Sequence, residues 1–259
     1  LIWARLPVAH PAQGDSIVLL WGKTGLARRD EADVSDSVHA VWHLGESQPL
    51  ADASGNRNDI ESDSGTSPAS GILGGARSFT SASLMRAPAP DPVAISRSFT
   101  VSCWVNLEGT QRPHAKILDL GSSGEPFGTI LLDIDSISGR IGFQMAFADG
   151  TWKRVDGLQA AVGWTHVAAT WDGSTRKGTL YQNGLLQGGF VSDTTLFPFA
   201  GHDLVIGNHE AGQDGPHGTL DEIRLDLRTR SPAWIRHQAF TQTTARISIA
   251  RVPIQGTTP

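Results

Sequence analysis

The sequence predicts an all-β protein, a two-sheet antiparallel jelly-roll sandwich with one short C-terminal helix. Short apolar or alternating runs recur along the chain, each bounded by Gly, Asp, Asn or Ser. No helical pattern of 10–15 residues separates these runs, which argues against a parallel α/β sheet. The 259 residues include 29 Gly and 14 Pro, with 39% hydrophobic and 18% charged residues. This composition is rich in turns and can still form a core.

The clearest strand is Phe99–Leu107, in which the odd-numbered positions are apolar and most even-numbered ones are polar. Because alternate side chains of a strand point to opposite faces, this pattern predicts a half-buried strand. The tetrapeptide Arg-Ser-Phe-Thr occurs at 77–80 and 97–100, and we interpret the two copies as similar strands. Further strands are predicted at Val38–Leu44, Ala115–Leu120, Thr129–Ile134, Arg140–Phe147, Trp164–Trp171, Thr179–Gln182, Leu185–Gln187, Leu204–Ile206 and Leu220–Leu227.

Two local motifs predict a hairpin and the helix. Asn183-Gly184 separates two strand-like runs, and a type I′ turn needs the positive φ angles that Asn and Gly tolerate. Ser231 is placed to cap a helix in which Pro232 occupies the first position, where its missing N–H has no intrahelical partner to lose. The helix is expected to continue through Phe240.

The composition divides the chain into three parts. A charged, non-periodic stretch at 27–37 is interpreted as a linker, so 1–37 is predicted to be the end of an upstream β-rich domain plus this linker. Residues 38–242 form the predicted sandwich, and 243–259 a C-terminal extension. Since the chain begins with Leu1, we interpret it as an internal piece of a longer precursor.

Charge and hydropathy argue against two classes of partner. The formal net charge is −5, and no basic stripe could neutralise successive phosphates, so we expect no nucleic-acid partner. The apolar runs Ile17–Trp21 and Ile130–Leu132 are far shorter than the roughly 20 residues that span a bilayer, so this stretch is expected to make no membrane contact. Cys103 is the only cysteine and is predicted to be a buried thiol.

Several motifs occur in an order that resembles a known family, the LamG-like jelly-roll domains of the concanavalin A-like lectin/glucanase superfamily. Leu1–Lys23 is similar to the end of an uncharacterised bacterial domain that often precedes such domains. The motifs carrying the family resemblance are Val41–Leu44, Asp52–Asp59, Ser98–Val105, Trp164–Ala168, Leu180–Gly184, Gly218–Arg224 and Arg230–Ile235.

The resemblance implies a structural calcium ion held by Asp52, Asn58 and Asp221. The loop Asp52–Asp59 also offers carboxylate, amide and carbonyl oxygens, which calcium prefers. The alternative is that Asp52 and Asn56 only build an Asx-type turn by bonding their own backbone.

Trp152 and Arg154 are the candidate ligand-binding residues. They follow the turn at Asp149, and an exposed Trp beside basic groups can stack on a sugar ring or engage a carboxylate. The alternative is that Trp152 packs against the sheet. Asp133 and Asp135 stand two apart on a strand, as a glycan hydrolase would require, but they lack the Glu-x-Asp-x-x-Glu pattern of the superfamily's hydrolases. They are interpreted as solvated acids on the outer face.

The acids and histidines of 202–222 fit no metal-binding template and are interpreted as a polar loop at the rim. The sequence also lacks a nucleophile elbow, a phosphate loop and a dinucleotide fingerprint, so no catalytic residue is assigned.

The resulting expectation is a noncatalytic recognition or spacer module of a larger bacterial envelope or secreted protein, periplasmic or extracellular, that binds glycan or protein. One alternative is a glycan-active enzyme of the lectin/glucanase superfamily. Another is a periplasmic structural domain of a TolQ/ExbB-type proton-channel complex, with a membrane-anchored remainder and oligomers formed through the parent protein.

Overall fold

A computed structural model describes residues 38–45, 47–122, 128–135, 138–160, 162–196, 203–209 and 212–244. The proposals for 1–37 and for 245–259 therefore lie outside the described residues. The strands are β1 (Ala40–Trp42), β2 (Ser62–Ser64), β3 (Ser67–Ser70), β4 (Gly75–Phe79), β5 (Leu84–Ala87), β6 (Ser98–Leu107), β7 (Ala115–Ser122), β8 (Gly128–Ile134), β9 (Arg140–Ala146), β10 (Trp152–Gln159), β11 (Trp164–Asp172), β12 (Lys177–Gln182), β13 (Leu185–Val191), β14 (Leu204–Ile206) and β15 (Gly218–Asp226). The helices are α1 (Pro92–Arg97) and α2 (Pro232–Thr244).

Two antiparallel sheets form the predicted sandwich. Sheet A has eight strands in the order β13-β12-β11-β6-β15-β4-β3, with β1 also paired to β15. Sheet B has seven strands in the order β10-β9-β8-β7-β14-β5-β2. Their inner faces share one hydrophobic core, in which Phe99 of sheet A packs edge-on against Phe143 of sheet B at 6.2 Å between ring centroids. The all-β jelly-roll prediction is confirmed.

The local motifs also form as predicted. Asn183 and Gly184 have φ angles of 48° and 75° in the turn between β12 and β13. The backbone N–H of Trp234 donates to the hydroxyl of Ser231 at 3.2 Å, which caps α2. Cys103 is fully buried, and burial raises the pKa of its thiol to about 12.

Helix α2 covers the outer face of sheet A, the face directed away from sheet B. Its buried positions recur at the spacing of one helical face: Ile235, Gln238, Ala239 and Gln242. The amide of Gln242 accepts from the indole N–H of Trp104 at 2.6 Å and donates to Glu222 at 3.2 Å. A polar layer therefore fixes α2 on the sheet. Within the described residues, no helix is long and apolar enough to cross a membrane.

Some elements differ from the expectation. The prediction did not include β2, β3, β5, β10 or α1, most of which are short, polar or at a sheet edge. The interpretation of 202–222 as a rim loop is wrong at its end, because Asp221 and Glu222 are buried within β15. A bulge between Asp221 and Arg224 places Glu222 at a positive φ of 51°.

Candidate functional site on sheet B

The outer face of sheet B carries a group of charged side chains on β7 to β10. In β8, Ile130, Leu132 and Ile134 belong to the core, so the intervening Asp133 points to the outer face. Asp133 is fully buried, and its Oδ1 accepts from Nη1 of Arg154 at 2.7 Å. The interpretation of Asp133 as a solvated acid is therefore wrong, because neighbouring strands bring cations over it.

Two further side chains lie near the second carboxylate oxygen of Asp133. Nζ of Lys116 is 3.6 Å from Oδ2, and Nδ1 of His114 is 3.7 Å away. Burial lowers the pKa of Lys116, although the charges of Asp133, Asp119 and Asp214 oppose this. Asp135 is not part of this group, because its carboxylate accepts from the backbone N–H of Ser138 in a turn.

Arg154 reaches Asp133 by crossing β9 at a glycine. In the sheet register, Gly142 pairs with both Asp133 and Asp156. A Cβ at Gly142 would lie 2.0 Å from Nη2 of Arg154, so only glycine leaves room for the guanidinium. Nε of Arg154 donates to Asp156 at 2.7 Å, and Nη1 also donates to Gln144 at 3.2 Å.

These contacts hold the guanidinium in one orientation. Burial tends to lower the pKa of Arg154, but the charges of Asp133 and Asp156 raise it overall. Among the described residues, Oδ2 of Asp133 and Nη2 of Arg154 are buried without a hydrogen-bond partner. The side chain of Arg154 is 22% exposed, so part of it faces the surface.

Trp152 lies two residues before Arg154 on β10, so both side chains lie on the outer face. Trp152 is 42% exposed, so part of its indole faces solvent and part is covered by the protein. We call Trp152, Arg154, Asp133, Gln144 and Asp156 the β10 site. It combines an exposed aromatic face with an immobilised guanidinium and an exposed carboxylate.

The loop predicted to bind calcium folds around Asp52. Oδ1 of Asp52 accepts from the N–H groups of Val41 and Ser54, and Oδ2 accepts from the Ser54 hydroxyl and the N–H of Asn58. The side-chain amide of Asn58 donates to the carbonyl of His39 at 2.8 Å. These bonds form a turn of the Asx type.

Asp221, the third predicted ligand, has a separate set of partners. Its Oδ2 accepts from the N–H groups of Ile72 and Leu73, and its Oδ1 from that of Glu222. Burial, with a further contribution from the charge of Glu222, raises the pKa of Asp221 to about 7.

No group of three or more His, Cys, Asp or Glu among the described residues is placed to hold a metal ion. Since the oxygens of Asp52 and Asp221 face N–H and O–H donors, this arrangement does not fit a bound calcium ion without rearrangement. The calcium site stays a prediction.

The described part of the polar loop at 202–222 contains an ion pair. Nε2 of His209 lies 3.2 Å from Oδ2 of Asp214. His202 and Glu210 lie outside the described residues.

The sequence profile of the concanavalin A-like lectin/glucanases superfamily matches residues 79–236. The chain belongs to this superfamily. No curated protein sequence matches it significantly.

Solved structures similar to this superfamily member include toxin binding domains and a domain of an extracellular arabinanase. The binding domain of Paraclostridial Mosquitocidal Protein 1 superposes with a TM-score of 0.65 at 14% identity, covering 80% of this chain and 52% of that one. Domain 4 of AbnA, a GH43 extracellular arabinanase from Geobacillus stearothermophilus solved with arabinotriose, gives 0.59 at 20% identity, covering 78% and 98%. The botulinum neurotoxin serotype D ligand-binding domain with N-acetylneuraminic acid gives 0.64 at 15% identity, covering 83% and 53%.

These identities support a common fold alone. This chain spans about half the length of the toxin binding domains and nearly all of the arabinanase domain.

Proposed function

We propose that this domain is a noncatalytic recognition module of a larger extracytoplasmic protein and that it binds glycan at the β10 site. The observation that carries the proposal is the exposed indole of Trp152 on the same face of β10 as an Arg154 guanidinium held by Asp133, Asp156 and Gln144. A sugar ring can stack on the indole while its hydroxyls bond to the exposed part of Arg154 and to Asp156. Because Arg154 is already ordered, binding would cost little side-chain entropy.

The similar structures support this assignment through the saccharides with which they were solved. One is a domain of an extracellular arabinanase in complex with arabinotriose, and another is a toxin domain in complex with N-acetylneuraminic acid. Two similar structures, an arabinanase domain and a neurotoxin domain, therefore hold saccharides on the same fold. They also support an extracytoplasmic setting for this chain.

The geometry of Asp133 argues for binding rather than glycoside hydrolysis at the β10 site. Hydrolysis of the common type needs two carboxyl groups that flank the scissile bond. Asp133 is fully buried and paired to Arg154, so it cannot contact the anomeric carbon of a sugar lying on the surface. Asp156 is the only carboxylate of the β10 site that is exposed.

Titration calorimetry with a panel of soluble oligosaccharides, including arabinotriose and sialyllactose, tests the proposal. We expect at least one ligand to bind and Trp152→Ala to weaken it at least tenfold. Leu158→Ala is the matched control, because Leu158 is also exposed on β10 but lies at its other end. Saccharide binding that Trp152→Ala leaves unchanged would contradict the site. Sustained product release that is lost in Asp133→Asn would show an enzyme instead.

A further inference from the structure

The hydrogen bonds of Arg154 restrict the ligands that the β10 site can accept. Nε of Arg154 donates to Asp156, and Nη1 donates to both Asp133 and Gln144. Nη2 is buried, so its N–H groups cannot reach a ligand on the surface. Arginine recognises a carboxylate best through two parallel N–H groups. Arg154 has no such pair left for a ligand, because acceptors of the domain itself already engage Nε and Nη1.

The charges around Arg154 are also unfavourable for an anionic ligand. The groups that act on its guanidinium are the carboxylates of Asp133 and Asp156, and two carboxylates against one guanidinium leave a net negative charge. Lys116 adds a positive charge, but it is buried and lies among three carboxylates. A ligand carboxylate at the β10 site would therefore be repelled by an excess of like charge.

The exposed carboxylate of Asp156 favours a ligand that donates hydrogen bonds. Its side chain is 39% exposed, and its Oδ1 accepts from Nε of Arg154. Among the described residues, Oδ2 of Asp156 accepts no hydrogen bond. An ionised carboxylate is an acceptor only. The ligand group at this position must therefore supply an O–H or N–H, and an ammonium group would add an attractive charge.

Trp152 and Asp156 lie at the two ends of this surface, with Arg154 between them. They are four residues apart on the same face of β10, which corresponds to about 13 Å at about 3.3 Å per residue. A single sugar ring stacked on Trp152 is too small to contact Asp156 as well. A ligand that uses both residues must therefore be an oligosaccharide that lies along β10.

We propose that the β10 site binds oligosaccharides of neutral or amino sugars, rejects carboxylated ones, and uses Asp156 to make this distinction. The inference rests on the proposed glycan-binding function and adds the chemical class of the ligand. Trp152 supplies the surface on which one ring stacks, and Asp156 accepts from a hydroxyl or ammonium group of a ring further along the chain.

Titration calorimetry at pH 6 with three β-linked trisaccharides tests the inference: trimers of glucose, of glucosamine and of glucuronic acid. The three share one backbone and differ in one substituent of each ring, which is neutral, cationic or anionic. We expect the glucosamine trimer to bind at least about tenfold more tightly than the glucuronic acid trimer, with the glucose trimer between them. This ratio should fall as salt is raised.

Asp156→Asn should reduce the same ratio at least about fivefold. The asparagine carbonyl can still accept from Nε of Arg154, so the variant removes the charge and keeps the hydrogen bond. Glu61→Gln is the matched control, because Glu61 is also an exposed acid but precedes β2, at the opposite edge of sheet B. It should leave the ratio unchanged.

Tighter binding of the glucuronic acid trimer, or a ratio that Asp156→Asn leaves unchanged, would overturn the inference. If none of the three trimers binds, neutral arabinotriose and carboxylated sialyllactose decide. A Trp152-dependent preference for sialyllactose would overturn the inference and keep the glycan site, whereas a preference for arabinotriose would support both. If Trp152→Ala weakens the binding of no saccharide, the proposed function fails, and this inference fails with it.

Discussion

Asp221 and His166 should change the stability of the domain in opposite directions as the pH varies. Asp221 is fully buried, and burial together with the charge of Glu222 raises its pKa from 3.8 to about 7. His166 is also fully buried, and burial together with the charge of Arg224 lowers its pKa from 6.5 to about 3. Among the described residues, neither ring nitrogen of His166 has a hydrogen-bond partner.

The two signs follow from proton linkage. Between pH 4 and 7 the folded protein holds the Asp221 proton more tightly than the unfolded chain, so the free energy of unfolding falls as pH rises. Between pH 3 and 6.5 the unfolded chain holds the His166 proton more tightly, so the free energy of unfolding rises with pH. These pKa changes correspond to at most about 4 kcal/mol for Asp221 and about 5 kcal/mol for His166. Their opposite effects on the free energy of unfolding therefore nearly cancel between pH 4 and 6.5.

Single substitutions should expose each effect. Urea unfolding, followed by tryptophan fluorescence at pH 4 to 8, gives the free energy of unfolding of each variant. Asp221→Asn leaves the His166 effect, so its free energy of unfolding should rise by about 2–4 kcal/mol between pH 4 and 6.5, relative to wild type. His166→Gln should show a fall of similar size. If the free energy of unfolding of both variants varied with pH in the same way as that of the wild type, the reasoning would be refuted, whatever their absolute stability.

Three further predictions concern packing, the thiol and calcium. Gly142→Ala should lower the free energy of unfolding in urea by about 1–3 kcal/mol and weaken saccharide binding. Gly45→Ala is the control and should do neither, because a Cβ there has open space. Equal effects at both positions would contradict the role of Gly142. Cys103 should react with a thiol reagent at pH 8 only after unfolding, because it is buried with a pKa of about 12; rapid native labelling would argue against this. If calcium binds at Asp52, Asn58 and Asp221, saturation at about 100 times Kd adds about 2.7 kcal/mol, so a chelator should lower the melting midpoint by roughly 5–11 °C in scanning calorimetry. A melting midpoint that the chelator leaves unchanged would rule out the predicted calcium site.

The central strands could be predicted from sequence because the core imposes their alternation. Strand β6 pairs on both sides, with β11 and β15, and its residues Phe99, Val101 and Cys103 are all buried. The period-two signal is therefore strong there. The edge strand β10 lacks it, because the inward face that packs Val155 against the core also carries Lys153 and Gly157, while the outer face begins with the apolar Trp152.

The candidate site could be predicted only in part. A tryptophan close to a basic residue identifies Trp152 and Arg154, but the state of Asp133 depends on the pairing of β8, β9 and β10. Gly142 lies between Asp133 and Asp156 in that pairing, and because it has no side chain it leaves room for the guanidinium of Arg154. No local pattern encodes this register, so Asp133 looked like a solvated acid. The predicted calcium ligands also could not be assessed from sequence, because the carboxylates of Asp52 and Asp221 accept hydrogen bonds from different backbone N–H groups in the folded domain.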